Sequence, residues 1–118
     1  MIVAVDIDDV IISLVPTWLH LYNKDYKDNL SKNDITDWQI DKFVKPECGI
    51  NIYNYIEDPR IYDLCKPVEN SFEAISILHE QARVIFITSS TIGCAGRKYI
   101  WLKERGYIDK LDDYIEAK

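Results

Sequence analysis

Cysteine is scarce and poorly arranged for pairing: Cys48, Cys65 and Cys94 are odd in number, and no two share a C-x-x-C spacing. That leaves neither a disulfide framework nor a zinc pattern, and reduced cytosolic thiols are expected. Histidine is scarcer still; His20 and His79 stand alone, each a residue of helix surface or packing and not a ligand. No apolar run approaches the ~20 residues that span a bilayer, and residues 1–15 lack a basic region followed by an apolar stretch of signal length. The expectation is a soluble, cytoplasmic chain with no membrane partner. Positive charge is also short, with 14 Lys and Arg against 20 Asp and Glu and a net charge of −6. A phosphate backbone needs a basic face, so a nucleic-acid polymer is excluded as bulk ligand. Internal repeats, low-complexity tracts and linkers are missing. With 118 residues, 47% of them apolar, the chain makes one domain with enough length for a real core.

What the chain does carry is acid at the end of an apolar run. Ile2-Val3-Ala4-Val5-Asp6-Ile7-Asp8-Asp9-Val10 begins with aliphatic residues that suit a buried parallel strand, and its acids come where that strand should end. Side chains at i and i+2 of an extended chain point to one face, so Asp6 and Asp8 project together. Open α/β sheets bind ligands at the carboxyl ends of their strands, where paired carboxylates suit a divalent cation, a phosphoryl group or both. A strand running into an acidic turn is the bland alternative for an isolated D-x-D. Two further features count against it. Arg83-Val84-Ile85-Phe86-Ile87-Thr88-Ser89-Ser90 is a second β-branched run, ending in hydroxyls. A Thr or Ser at the tip of a neighbouring strand donates to a phosphate oxygen, and backbone N–H groups of the turn add more. Residues 96–106 then read as a helix that opens beyond Gly93 and Gly96 and closes at Gly106. That places Lys98 in the first turn, where a cation gains nothing from the helix dipole. A lysine there serves another anion, or is a plain solvated residue.

Between the two strands the chain reads as helical. Pro16 opens a helix with Trp18, Leu21 and Tyr22 on one face, running to about Tyr26. Residues 25–41 are polar, with Asn33-Asp34-Ile35-Thr36-Asp37 supplying turn and cap residues. A second helical stretch spans Pro46 to Tyr55, Asp58-Pro59 stops it, and Ile61 to Cys65 adds a short turn. Asn70-Ser71-Phe72-Glu73 has N-cap chemistry for a helix to about Gln81, with Phe72, Ile75, Leu78 and Ala82 toward the core. The βαβ rule sets strand 83–88 beside strand 2–7, and Tyr114–Ala117 begins a third strand.

Strand-D-x-D, strand-Thr-Ser and helix-lysine, in that order, resemble the haloacid dehalogenase superfamily of phosphohydrolases. More narrowly, the chain is similar to the 5'(3')-deoxyribonucleotidases of the cytosolic type C group. The narrower likeness rests on Asp34-Ile35-Thr36-Asp37-Trp38, Tyr55-Ile56-Glu57-Asp58-Pro59, Lys66-Pro67-Val68 and Lys98-Tyr99-x-Trp101. The resemblance implies an α/β Rossmannoid three-layer fold with a parallel sheet, its core 1–11 and 69–118, with a small helical cap over residues 12–68. It implies a Mg²⁺-dependent phosphatase of (deoxy)nucleoside monophosphates, pyrimidine deoxyribonucleotides being the expected substrates. Asp6 matches the nucleophile that forms an aspartyl-phosphate, and Asp8 the general acid and base. Mg²⁺ is expected between Asp6 and a phosphate oxygen, with Asp8 completing part of its shell. Thr88, Ser89 and Lys98 match the phosphoryl pocket, with Arg97 a weaker candidate. Trp38 and Tyr62 are the aromatic choices for the nucleobase.

The likeness breaks at one place. The superfamily carries a fourth motif, a strand ending in one or two aspartates that completes the metal shell, and no such strand follows Lys98. Asp112-Asp113 is the only later acidic pair, and the residues before it do not form a buried strand. The expectation is a C-terminally truncated fold with weak metal affinity and an unprotected edge on strand 2–7. Exposed apolar edges pair with other chains, so a homodimer through that edge, poor stability, or a fragment of a longer parent follows. A catalytically impaired phosphate- or nucleotide-binding relic is the rival function, and another phosphohydrolase of the same superfamily is a further one. Charge suits a small monophosphate: residues 1–70 carry 13 acids against 7 bases, and residues 71–118 carry 7 against 7.

Overall fold

The computed structural model of the chain describes residues 1–90 and 92–117. Three parallel strands, β1 (Ile2–Asp6), β2 (Arg83–Thr88) and β3 (Tyr114–Glu116), form a sheet in the order β1-β2-β3. Ile2 pairs with Arg83 and Asp6 with Ile87, so the acids of β1 and the hydroxyls of β2 leave the sheet at the same carboxyl end. β1 stops at Asp6 because the next N–H, that of Ile7, turns to the Asp6 carboxylate at 2.8 Å. The chain then winds tightly, with the Ile7 carbonyl accepting from Val10, Ile11 and Ile12.

The insert between β1 and β2 holds α1 (Leu14–Tyr26), α2 (Asn54–Glu57), α3 (Ile61–Leu64) and α4 (Ser71–Gln81); α5 (Ile92–Glu104) follows β2. Short 3-10 segments at Lys32–Asp34, Ile40–Lys42 and Gly49–Tyr53 fill the stretch between α1 and α2, so the helix expected over Pro46 to Tyr55 is a 3-10 segment that runs into α2. α1 opens two residues ahead of Pro16, the expected start. The Asp9 carboxylate accepts from Leu14 N–H and Val15 N–H at 3.1 and 3.0 Å, capping the helix earlier. Pro16 is still tolerated, since first-turn N–H groups have no helical acceptor. α2 ends at Glu57, and Asp58 is extended as a residue before proline should be.

Two expectations about helix starts are corrected. Asn70 makes no side-chain cap; it occupies the left-handed region at φ 65°, which Asn tolerates better than most residues. α5 begins at Ile92, ahead of Gly96, so Lys98 lies in the second turn and not the first. Gly93 is a spacer inside that helix and no breaker: a Cβ there would meet Pro59 Cγ at 2.9 Å. The expected close at Gly106 is observed, with φ 80° and Tyr107 N–H reaching back to the Leu102 carbonyl at 2.9 Å.

Val84, Phe86 and Thr88 point to one face of the sheet and are buried, the first two in a cluster that includes Ile75 of α4 and Trp101 and Leu102 of α5. Burying each such apolar side chain contributes roughly 1.5–3 kcal/mol. Ser71 and Tyr107 hydroxyls meet at 2.8 Å, tying α4 to the end of α5 on that same side. Phe72, expected in the core, is 44% exposed and packs edge-on against the Tyr107 ring. The opposite face carries Ile2, Ala4, Ile85, Ile87 and Ile115, all exposed or half-buried among the described residues. β1 is an edge of the described sheet. No helix of the described residues is long and apolar enough to cross a membrane.

Candidate active site

Lys98 is 0% exposed. Its ammonium donates to Asp8 Oδ2 at 2.6 Å and to Thr88 Oγ1 at 2.8 Å, and lies 5.3 Å from the centroid of the Tyr62 ring. Burying an ammonium is costly unless it is paired and hydrogen-bonded, which this geometry supplies for two of its three protons. The third meets no acceptor among the described residues. Tyr62 Oη donates to the other Asp8 oxygen at 3.3 Å. Burial, then the Asp8 charge, pushes the Tyr62 phenol well above its ordinary range, so it remains a donor. Asp8 is therefore held by α5 on one side and by the insert on the other.

Asp8, Tyr62 and Lys98 line a cleft of about 310 Å³ that also takes in Glu57, Ser89 and Ser90, while Thr88 is not part of its lining. Of the residues expected to handle phosphate, Lys98 and Thr88 are hydrogen-bonded together and Ser89 is an exposed part of the cleft wall. Asp6 is exposed at the tip of β1, outside the residues lining that cleft. Arg97 stands away from it, in a surface ion pair with Asp63 at 3.3 Å. Tyr62, expected to offer its ring to a base, is only 3% exposed and presents its hydroxyl instead. Trp38 does lie open, 97% exposed, on a neighbouring groove of about 670 Å³. Leu14, Tyr53 and Ile56 line both the groove and the cleft, so the two adjoin.

Two residues at the site escaped the sequence reading. Asp9 has φ 60° and places its carboxylate on the N-terminus of α1 while lining the groove. Its own signal was an acid next to a D-x-D, which reads as more of the same charge. Burial raises its pKa from the usual carboxylate value. Ser90 follows the strand-tip Thr88-Ser89 pair and carried no separate signal.

Asp6 uses Oδ1 on Ile7 N–H, and Oδ2 has no donor among the described residues. Both side-chain oxygens of Asp8 are engaged, which leaves its backbone carbonyl. No group of three or more His, Cys, Asp or Glu that could hold a metal occurs among the described residues. Mg²⁺ keeps several waters and takes one or two carboxylates with substrate phosphates, so this donor set fits a weak Mg²⁺ site. Asp113 cannot assist: it pairs with Arg83 at 2.8 Å, at the amino end of β2.

Parallel strands with acids at the carboxyl end, a helical insert after β1 and a lysine on the helix after β2 define an α/β fold of the haloacid dehalogenase type. The family model described as 5' nucleotidase, deoxy (pyrimidine), cytosolic type C matches residues 1–116, and the chain belongs to that family. It is also similar to a 5'(3')-deoxyribonucleotidase of Clostridium acetobutylicum, with 28% identity over 102 residues. That match covers 86% of this chain and 57% of the relative, so the chain spans less than two thirds of the relative's length.

Proposed function

We propose that this chain carries the phosphate-handling centre of a Mg²⁺-dependent phosphomonoesterase acting on (deoxy)nucleoside monophosphates, pyrimidine deoxyribonucleotides first among them. The observation that carries the reading is buried Lys98, bridging Asp8 and Thr88 with an N–H to spare. Asp6 attacks phosphorus with its free oxygen, the bond from phosphorus to the sugar oxygen breaks, and Asp8 gives that oxygen a proton. Asp8 then takes a proton from the water that displaces Asp6, which releases inorganic phosphate and restores the carboxylate. Asp6 and the Asp8 carbonyl would hold the Mg²⁺, which supplies positive charge between a carboxylate and a phosphate dianion. An arriving dianion takes the spare Lys98 N–H and competes with Asp8 for the ammonium. Thr88 and Ser89 support the same oxygens, and preorganised donors of this kind are the main source of stabilisation as charge spreads.

The nucleoside extends toward the adjoining groove, where Trp38 offers an open aromatic face to the base. In this reading residues 12–68 form the cap and residues 1–11 and 69–118 the core. Three free, buried cysteines agree with a reducing, cytoplasmic setting. The edge of β1 with its open sheet face is where a second copy would add. A second reading, a nucleotide-binding relic without turnover, is favoured by the lack of a three-ligand metal cluster among the described residues. Phosphate release from dUMP and dTMP with Mg²⁺ separates the two. Release that disappears in Asp6→Asn supports the enzyme; nucleotide binding with no release supports the relic.

A further inference from the structure

We propose that Ser90 binds substrate, its hydroxyl donating to a non-bridging oxygen of the phosphoryl group in the cleft; this rests on the function above and adds a residue to it. Ser90 Oγ is the one buried side-chain nitrogen or oxygen without a hydrogen-bond partner among the described residues. Buried hydroxyls are almost always paired, because an unpaired one has lost its water and gained nothing. The missing partner therefore belongs to something that enters the cleft.

The surroundings say what that is. Ser90 lines the same cleft as Lys98, Asp8 and Ser89. The Thr88 hydroxyl already has a partner, since it accepts from Lys98, whereas Ser90 Oγ has none among the described residues. A hydroxyl donor close to an ammonium with an N–H to spare selects an anion bearing several acceptor oxygens. Ser90 also lies two positions ahead of the 13-residue α5, whose first N–H groups lack helical acceptors and favour an anion. A phosphoryl group satisfies all of these donors together, which water, with two protons of its own, does not.

The test is titration of the full chain with inorganic phosphate in Mg²⁺ buffer, followed by thermal melting, for the wild type, Ser90→Ala and Ser90→Thr. Without phosphate, Ser90→Ala should melt at the wild-type temperature or above it, since it deletes an unpaired buried group. Its phosphate affinity should fall about tenfold or more, the usual effect of losing a hydrogen bond to a charged group. Ser90→Thr, which keeps the hydroxyl, should recover most of that affinity. A Ser90→Ala chain that melts lower without phosphate, or binds phosphate as the wild type does, overturns the proposal. So does a wild type that fails to bind phosphate. Nucleotide hydrolysis with phosphate affinity indifferent to Ser90 sinks this inference alone. Ser90-dependent binding without hydrolysis sinks the enzymatic reading alone.

Discussion

A left-handed backbone at Asp9 is a cost borne at one residue for a contact between two parts of the fold. Residues with a Cβ lose about 1–2 kcal/mol in that conformation, Asp less than most. The offset is the pair of hydrogen bonds from α1 to its carboxylate, at 3.1 and 3.0 Å. Asp9→Ala loses the cap and keeps the strain, so it should lower stability by about 1–2 kcal/mol in urea denaturation. Asp9→Asn keeps an acceptor and tolerates the same backbone; Asp9→Gly relieves the strain and loses the cap. Both should lie close to the wild type, and equal losses in all three would refute this account. Burial raises the folded pKa of Asp9 above 3.8, so its contribution is fully present below pH 3.8 and declines as pH rises through the folded value. Asp58 works the other way. Arg60 pulls its pKa down to about 2, so its contribution is present above pH 3.8 and lost toward pH 2. Asp9→Asn should flatten the first of these slopes alone. Lys98 shows why residue-level reading goes only so far: its identity was visible, but its burial depends on a helix start that Gly93 and Gly96 disguised.

At the scale of elements, the insert is stitched together by tyrosines that sequence patterning treats as apolar. Tyr22 of α1 is buried, donates to Asp28 and accepts from Lys45 N–H at 2.8 Å. Burial, then the Asp28 hydrogen bond, pushes its pKa up to about 12. The unfolded phenol ionises first, so the stability it provides is held below about pH 10 and lost as pH climbs through about 12. Tyr22→Phe should cost about 1–2 kcal/mol at neutral pH, by leaving the Lys45 N–H without its acceptor. It should also soften the alkaline decline followed by circular dichroism. An unchanged alkaline midpoint would assign that decline to other groups. The two tryptophans at 18 and 101 act similarly as struts: Trp18 donates to the Ile52 carbonyl at 2.7 Å and Trp101 to the Cys65 carbonyl at 3.1 Å. Only Trp38 is left to face solvent.

For the whole molecule, the open sheet face and the β1 edge dominate. Ile2 is 61% exposed on a strand that is an edge of the described sheet. Unpaired N–H and C=O groups beside apolar side chains template pairing with another chain, and a charge on the edge suppresses it. Sedimentation velocity at micromolar concentrations should therefore show the proposed dimer for the wild type and a shift to monomer for Ile2→Lys. A wild type that sediments as a monomer would remove edge pairing from the proposal.

The parallel strands and the order of the acidic, hydroxyl and lysine segments were determined by the sequence itself. β-branching, alternation and motif spacing are local properties that a short stretch of chain carries within it. The tertiary structure alone decided that Tyr62 grips Asp8 from 54 residues away and that Thr88 accepts from Lys98. It also decided that Ser90 is left without a partner among the described residues, and that α4 and α5 share one face of the sheet. Each of these depends on where distant segments come to rest against one another, and a hydroxyl or an ammonium has no partner until they do.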